Sequence, residues 1–365
     1  MSIDIIISLV KAFLILGLLL TNTILLIWLE RKVVAGMQSR VGPDRAGPFG
    51  ILQTLADAIK LLLKEQIMPL KADRAMYILA PILALVPSFL IFMIIPLGPD
   101  IDIEINGQNI RVPLVGADLN VGVLFFLALS SIAVYSVVLA GWSSGSKYPL
   151  LGGVRASAQM ISYEAAMGLS LVPVILYSGS MSMTEIVKSQ DGHLSSPIPF
   201  LDTIVSFIPN WNIFPQFVAF AIFFVASIAE VNRAPFDLVE AEQELVGGFH
   251  TEYSGFRFAM FFLAEYINMF NMCAITATFF LGGWLGPTFS NFLPPLISAL
   301  MPAFWLGIKT FGLLFIYVWI RATLPRLRYD QLMELGWKRM IPISLIWLLL
   351  SSIVLGIREF GLPWS

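Results

Sequence analysis

The sequence predicts an all-α polytopic membrane protein with about eight transmembrane helices and one further amphipathic helix beside the membrane. Of its 365 residues, 58% are apolar and only 13% are charged, whereas soluble domains carry about 25% charged residues. Apolar stretches close to the roughly 20 residues that cross a bilayer recur along the whole chain. We therefore expect residues 1–365 to form a single transmembrane domain.

The spans are predicted from long apolar runs. The first run ends at Glu30-Arg31-Lys32. It is too long for the apolar core of a signal peptide and lacks a basic start. The spans are predicted at 5–29, 76–96, 119–141, 157–178, 213–229, 256–283, 297–320 and 341–357. The stretch 195–212 is apolar in places, but Pro197, Pro199 and Pro209 interrupt it, so we interpret it as a surface element.

The positive charges predict which side each connection faces. All but five of the 22 Lys and Arg residues lie in the connections 31–75, 142–156, 230–257 and 321–340. Because connections rich in Lys and Arg stay in the cytoplasm, we expect a first cytoplasmic loop at 31–75, an acidic cytoplasmic loop at 230–255 and a basic one at 321–340. The even number of spans then places both termini outside.

The first cytoplasmic loop contains RVGPDRAGPFG at 40–50, whose glycines and prolines indicate a turning backbone. An amphipathic helix is predicted at 49–66. Its apolar face is formed by Leu52, Leu55, Ile59 and Leu62, and its polar face by Gln53, Asp57, Lys60 and Lys64. Two interpretations stay open: the helix lies on the membrane surface, or it walls a cavity that Asp57 and Lys60 face.

The acidic loop sets six carboxylates against one cation, Arg233, between residues 230 and 253. The carboxylates are Glu230, Asp237, Glu240, Glu242, Glu244 and Glu252. Mutual repulsion and burial raise carboxyl pKa values, so such a group favours proton handling. If Pro235 begins a helical segment, Asp237, Glu240 and Glu244 share one face. The alternative is a solvated acidic face, but interleaved apolar residues favour burial against protein.

Further ionisable residues lie inside the predicted spans, where each costs about 2.5–3.5 kcal/mol on the insertion scale. Glu164 follows Tyr163 in the fourth span, and Glu265 lies in the sixth. With Glu230 at the end of the fifth span, they could form a chain leading inward from the acidic loop. The alternative is a set of hydrogen-bonded anchors between helices. Lys309 could pair with a carboxylate or with a backbone carbonyl.

Several kinds of chemistry have no sequence support. Cys273 is the single cysteine, and His193 and His250 are the two histidines. The chain has no CxxC motif for an iron–sulfur cluster, no GxxxxGK[ST] loop and no HExxH motif. A self-contained redox enzyme, metalloprotease or ATPase is therefore disfavoured. If the chain serves a redox reaction, we expect the electron carriers in partner subunits.

Five segments together resemble the H-subunit family of the proton-pumping NADH–quinone oxidoreductases, respiratory complex I. They follow one another over most of the chain: ERK (30–32) with MQSRVGPDRAGPFGILQTLADAIKLLLKE (37–65), RASAQMISYE (155–164), AEVNRAPFDLVEAEQELVGGFHTEY (229–253), FFLAEY (261–266) and IRATLPRLRYDQLM (320–333).

The resemblance implies a membrane subunit that encloses most of a quinone-access tunnel and couples quinone reduction to proton translocation, with no directly catalytic residue. It assigns the quinone tunnel to Arg31, Arg40, Asp57, Phe262 and Arg321. It assigns the proton path to Tyr163, Glu164, Glu230, Asp237, Glu240, Glu242, Glu252 and Glu265. Arg233 and Arg326 are their implied charge partners. The carboxylates would respond to charge on the quinone, with the acidic loop as the bistable element.

The resemblance also implies a setting in a bacterial inner membrane. The quinone, ubiquinone or menaquinone, is a substrate, while NADH, FMN and iron–sulfur clusters belong to partner subunits. These partners are the hydrophilic quinone-module subunits and the adjacent membrane-arm subunits. No metal and no nucleic acid are expected on this chain. Two residues depart from the family pattern: Val231 replaces a common Thr, and Asp44 replaces a common Asn.

Two other functions stay open. The first is the related membrane subunit of a proton-pumping hydrogenase or formate-oxidising complex, which need not bind quinone. The complete first-loop stretch favours quinone over this alternative. The second is a stand-alone ion-coupled transporter. Such proteins often carry paired half-repeats, and no internal repeat is evident here.

Overall fold

The computed structural model describes residues 3–105, 108–193, 209–237, 247–287 and 295–360. The chain is mostly helical. Its helices are α1 Ile3–Met37, α2 Gln53–Leu63, α3 Arg74–Met93, α4 Gly122–Ser143, α5 Lys147–Ser178, α6 Met183–Lys188, α7 Phe217–Glu230, α8 Gly255–Phe280, α9 Pro295–Thr323, α10 Tyr329–Glu334 and α11 Ile341–Phe360. A π-helical turn, Leu335–Met340, joins α10 to α11.

The predicted class, an all-α polytopic membrane protein, is confirmed. Seven helical segments of the described residues are long and apolar enough to cross a membrane: Leu9–Met37, Arg74–Met93, Gly122–Ser143, Lys147–Ser178, Gly255–Phe280, Ser298–Thr323 and Tyr329–Arg358. The eighth predicted span corresponds to α7, a shorter apolar helix of 14 residues. Each predicted span therefore has its helix.

Helix α7 is roughly 21 Å long at 1.5 Å per residue, less than the ~30 Å of a bilayer core. The turn before it is held by protein groups. Ile213 N donates to Phe280 O at 2.9 Å, Asn212 Nδ2 donates to Phe279 O at 2.9 Å, and Trp347 Nε1 donates to Gln216 Oε1 at 2.7 Å. Non-helical backbone is tolerated at membrane depth where protein groups satisfy it, so α7 need not span alone.

A short β-hairpin was not predicted. Strands β1, Ile101–Ile105, and β2, Gln108–Val112, pair antiparallel in the connection between α3 and α4, with Ile101 opposite Val112 and Ile105 opposite Gln108. The predicted surface element at 195–212 lies mostly outside the described residues, which resume at 209.

Helix α2 lies within the predicted interval 49–66 but begins only at Gln53. The residues before it form a tight turn in which Phe49 has φ 54° and Gly50 has φ 77°. A Cβ on Gly50 would lie 2.3 Å from the Pro43 carbonyl carbon, so this turn requires glycine. Trp28 Nε1 donates to Phe49 O at 2.8 Å and fastens the turn to α1. Lys60 is exposed instead of facing inward.

Helix α8 lies at the centre of the bundle and is the most buried of the long apolar helices in the described part of the chain. It packs against α3, α7, α9 and α1. The return from the acidic loop, Gly248–His250, lies against the start of α5, and a Cβ on Gly152 would meet Gly248 Cα at 2.7 Å. These contacts bring the ends of α1, α7, α8 and α9 together.

Candidate functional site

A cluster of opposite charges joins four parts of the chain. Glu30 of α1 accepts hydrogen bonds from Arg233 Nη1, at 3.3 Å, and from Arg321 Nη1 of α9. Arg233 Nε in turn lies 2.8 Å from Glu265 Oε1 of α8. The Arg233 guanidinium also lies 4.4 Å from the centre of the Tyr266 ring. We call Glu30, Arg233, Glu265 and Arg321 the ionic cluster.

Burial makes the ionic cluster strongly interdependent. Glu30 is 4% exposed and Arg233 is 5% exposed. Burial alone would lower the pKa of Arg233, but the Glu265 and Glu30 carboxylates raise it well above its usual range. The guanidinium therefore stays charged. Removing one member of such a cluster leaves a buried charge without compensation, which costs about 3–5 kcal/mol.

One side of the ionic cluster faces a cleft rich in arginine, here called the arginine cleft. Its empty space is about 850 Å³, open mouth included. It lies between α1, the following loop, α8 and α9. Its lining residues are Glu30, Arg31, Val34, Gln38, Arg40, Tyr266, Arg321 and Ala322. Three of the five predicted tunnel residues, Arg31, Arg40 and Arg321, thus meet in one cleft.

Helix α2 is tied to the arginine cleft through Asp57. Arg31 Nη1 donates to Asp57 Oδ2 at 2.7 Å, and Gln53 Nε2 donates to Asp57 Oδ1 at 3.1 Å. Partial burial raises the pKa of Asp57, but these hydrogen bonds and the charge of Arg31 lower it by more, so the net shift is downward. Asp57 is therefore a carboxylate at neutral pH and orients Arg31.

The other side of the ionic cluster faces a second cleft, here called the acidic cleft. Its empty space is about 750 Å³, mouth included. Apolar and aromatic side chains of α3, α4, α5 and α8 make up much of its wall. Its lining residues are Ala84, Ala133, Ser136, Val137, Met160, Glu230, Val231, Asn232, Asp237, Phe249, His250, Phe258, Phe261, Phe262, Ala264, Glu265 and Asn268.

Three of the predicted proton-path residues, Glu230, Asp237 and Glu265, share the acidic cleft. Asp237 Oδ2 lies 3.7 Å from Arg326 Nη2, so Arg326 lies beside one of its implied partners. Phe262, a predicted tunnel residue, lines this cleft instead of the arginine cleft. Its ring centre is 4.9 Å from that of Tyr266, which places the pair between the two clefts.

Tyr163 and Glu164 lie apart from the acidic cleft lining. Tyr163 is fully buried, and its hydroxyl donates to Leu332 O at 2.8 Å. Glu164 accepts hydrogen bonds from Ser130 Oγ, at 3.1 Å, and from Ser131 Oγ. Both residues thus join α5 to neighbouring helices, as the anchor interpretation requires, while Glu164 lies about one helical turn from the cleft residues of α4.

The rest of the acidic loop is described only in part. Glu240, Glu242 and Glu244 lie outside the described residues, as does the helical segment expected after Pro235 beyond residue 237. The backbone carbonyl of Glu252 accepts a hydrogen bond from Tyr77 Oη at 2.7 Å. Burial raises the pKa of the neighbouring Tyr253 to about 12, so its phenol stays protonated where it stacks on Tyr77.

Lys309 pairs with backbone carbonyls, the second of its two predicted partners. Its Nζ lies within hydrogen-bond distance of Leu281 O, Gly283 O and Leu285 O, at 2.6, 2.9 and 2.5 Å. A lysine at this place satisfies carbonyls left free at the end of α8. It therefore stabilises a helix end.

Sequence reasoning missed several site residues. Glu30 and Tyr266 stood out only as parts of longer motifs, yet both contribute to the ionic cluster or its wall. Asn232, His250 and Asn268 line the acidic cleft. The available signals were the position of Glu30 at the end of an apolar run and the spacing of Asn268, one helical turn after Glu265.

Comparison with known proteins decides the family. A family profile described as NADH dehydrogenase matches residues 10–352. The chain belongs to the NADH dehydrogenase family. It is also 47% identical over 360 residues to a protein of Koribacter versatilis (strain Ellin345) named as the second H subunit of NADH-quinone oxidoreductase, covering 96% of this chain and 98% of that relative. The expected role, a membrane subunit of an NADH–quinone oxidoreductase, is confirmed at this level.

The two departures from the family pattern lie beside the site. Asp44 Oδ1 lies 3.2 Å from Lys32 Nζ, so the additional negative charge has a cation. Val231 is buried and lines the acidic cleft. A threonine there would add a hydroxyl to the cleft wall. The aliphatic side chain leaves neighbouring Asn232 as the polar group of this turn.

Proposed function

We propose that this subunit encloses the access path of a quinone at the arginine cleft and transmits the charge of the quinone to the carboxylates of the acidic cleft. The observation that carries the proposal is the ionic cluster, which stands in the wall between the two clefts. Glu30 and Arg321 line one cleft, Glu265 lines the other, and Arg233 contacts both Glu30 and Glu265.

The arginine cleft suits the chemistry of a quinone headgroup. Reduction of a quinone adds two electrons and two protons, and negative charge forms on its oxygens before protonation is complete. Arg31, Arg40 and Arg321 can donate hydrogen bonds to such oxygens. The isoprenoid tail needs an apolar path from the lipid. Exposed apolar side chains at Leu52, Leu55, Ile59 and Leu62 of α2 offer one beside the cleft.

Coupling follows from competition for arginine. A negative charge in the arginine cleft attracts Arg321 away from Glu30. Glu30 then binds Arg233 more strongly, and Arg233 releases Glu265. Without its cation, the buried Glu265 carboxylate has greater affinity for a proton. The charge on the quinone is thereby converted into protonation of a group on the acidic cleft.

Glu230, Asp237, Glu240, Glu242 and Glu252 continue the proton path in this proposal, with Tyr163 and Glu164 beside it. The acidic loop is the element with two arrangements, biased by the ionic cluster and by Arg326. We expect Glu240→Gln and Glu242→Gln in the assembled enzyme to lower quinone reduction and proton pumping together. Wild-type rates in both variants would remove the loop from the mechanism.

The setting of the proposal is a bacterial inner membrane, with loops 31–75, 230–255 and 321–340 in the cytoplasm and both termini outside. Electrons reach the quinone from hydrophilic quinone-module subunits that hold NADH, FMN and iron–sulfur clusters. Adjacent membrane-arm subunits receive the conformational or electrostatic signal. The concentration of Lys and Arg in these loops supports this orientation.

A photoreactive quinone tests the access path. The assembled enzyme is labelled during turnover, with and without excess ordinary quinone, and the labelled peptides are identified by mass spectrometry. We expect competitor-sensitive labelling at 31–40, 53–63 and 321–322. Labelling restricted to α11, whose apolar side chains are largely exposed, would show quinone in lipid only and would contradict the proposed path.

A further inference from the structure

Three buried oxygen atoms of the acidic cleft have no hydrogen-bond partner among the residues that the structure describes. They are Glu230 Oε2, Asn232 Oδ1 and Asn268 Oδ1. All three residues line the cleft, and Glu230 is 5% exposed. Buried polar atoms are almost always hydrogen-bonded to protein or to ordered water. Three such atoms around one cavity therefore indicate a polar ligand in it.

The backbone around these atoms supports the same interpretation. Asn232 has φ 53°, a left-handed conformation that asparagine adopts more readily than most residues. It places an amide in the turn after α7, beside Glu230. Asn268 lies three residues after Glu265 on α8, so both occupy one helical face. The two carboxylates and the two amides thus surround a common space.

We propose that the acidic cleft binds a cluster of ordered water molecules and that Asn268 positions this cluster between Glu265 and Glu230. The inference rests on the proposed function, because it names what carries protons between these carboxylates. An ordered buried water needs two to four polar partners. The three oxygens, with Asp237, His250 and Ser136 on the same lining, supply enough.

The water cluster permits proton transfer without any further reactant. A water molecule accepts a proton from protonated Glu265 and releases another of its protons toward Glu230 Oε2. The water is unchanged after the transfer, Glu265 becomes a carboxylate, and Glu230 becomes a carboxylic acid. The Asn268 amide neither gains nor loses a proton. Asn268 is thus a positioning residue.

The test is Asn268→Leu in the assembled enzyme in inverted membrane vesicles. Leucine has a similar volume but cannot hold water. We expect the number of protons pumped per NADH oxidised to fall at least twofold, while the quinone KM changes less than twofold. Asn268→Ser, which keeps a hydroxyl and leaves room for one more water, should restore most of the ratio. A structural defect alone would not separate these readouts.

Asn271→Leu is the matched control on the same helix. Its amide donates to Ser88 O at 2.8 Å, and it does not line the acidic cleft. We expect this variant to reduce thermal stability and leave the proton-to-NADH ratio unchanged. An equal loss of ratio in the Asn271 and Asn268 variants would overturn the positioning role.

Glu265→Gln separates failure of this inference from failure of the proposed function. If Glu265→Gln is uncoupled while Asn268→Leu pumps normally, the water site is wrong and the proposed function stands. If both pump normally, the proposed function is wrong as well. A high-resolution map of the assembled enzyme without ordered water near Glu230 Oε2 and Asn268 Oδ1 would also overturn the water site.

Discussion

Glu30 binds two arginines from distant parts of the chain, so the charge balance of the ionic cluster depends on this one residue. Arg233 retains Glu265 when Glu30 is neutral, whereas Arg321 has only exposed surroundings to compensate for the loss. Buried charge pairs gain little net stability when intact, but breaking one is costly. Glu30 therefore matters more through what its removal exposes than through the strength of each bond.

We expect Glu30→Gln to destabilise the subunit by about 3–5 kcal/mol, because the buried Arg233 loses part of its compensation. The measurement is the thermal inactivation rate of the assembled enzyme, which should rise at least tenfold. Glu334→Gln is the control, since Glu334 forms an exposed pair with Lys338 at 3.4 Å and such pairs contribute at most about 1 kcal/mol. Equal rates in the two variants would contradict a central role of Glu30.

Asp57 gives a prediction about pH. Its pKa lies below the ordinary value of 3.8 in the folded protein. The stabilisation from its charge is therefore fully present above the unfolded pKa and is lost as pH falls through the lower folded pKa. We expect a spin label at exposed Leu63 to show constant mobility between pH 5 and 8, since the Arg31–Asp57 pair stays intact there.

Asp57→Asn should raise the mobility of that label at pH 7, because the neutral side chain holds Arg31 less strongly. A label at exposed Leu345 of α11 should report no change and serves as the control. If mobility rises in the wild type between pH 8 and pH 5, the ion pair is not what fixes α2.

Single residues were predicted unevenly from the sequence. Carboxylates inside apolar spans, such as Glu265, are visible because their insertion is unfavourable. Glu30 was overlooked because it precedes Arg31 and Lys32 at a span end, where charges usually mark topology. Asn268 was overlooked because a neutral amide in a helix gives no comparable signal. Its significance depends on which residues lie opposite it in space.

At the level of elements, Gln159 of α5 fastens the turn between α7 and the acidic loop. Its Nε2 donates to Ala229 O at 2.9 Å and to Phe236 O at 2.8 Å, and the side chain is fully buried. Leu327 N donates to Pro235 O at 3.0 Å from the basic loop. The start of the acidic loop is thus held from two sides.

We expect Gln159→Leu to loosen this turn, because a buried carbonyl left unpaired costs about 1–3 kcal/mol. Hydrogen–deuterium exchange of a peptide covering 231–237 should become at least tenfold faster. Gln53→Leu is the matched control, since Gln53 bonds Asp57 in a partly exposed place. Unchanged exchange in the Gln159 variant would show that the basic loop alone suffices.

Long helices were predictable because apolar length is read directly from composition. The hairpin was missed although its sequence, IDIEINGQNIRV, alternates apolar and polar residues around Asn106-Gly107, a strong hairpin signal. The late start of α2 at Gln53 was missed because periodicity does not report the positive φ of Phe49 and Gly50. Where these elements meet was also outside periodicity, since it depends on contacts between distant segments.

At the scale of the whole molecule, two clefts share one charged wall, so variants should divide by the cleft they affect. Arg31→Leu removes a donor from the arginine cleft, and we expect a several-fold higher quinone KM with an unchanged proton-to-NADH ratio. Glu265→Gln acts on the acidic cleft, and we expect a lower ratio with a nearly unchanged KM. Arg233→Lys keeps the charge but cannot contact Glu30 and Glu265 through separate nitrogens.

Arg233→Lys should therefore change both quantities at once, which neither single-cleft variant does. The measurement is steady-state kinetics against a soluble quinone together with proton uptake into inverted vesicles, on the same preparations. A lysine reaches one carboxylate or the other, so the quinone side loses orientation or the proton side loses its control. If Arg233→Lys changes only the KM, the arginine belongs to the arginine cleft alone. Charge would then have to cross the wall by another route.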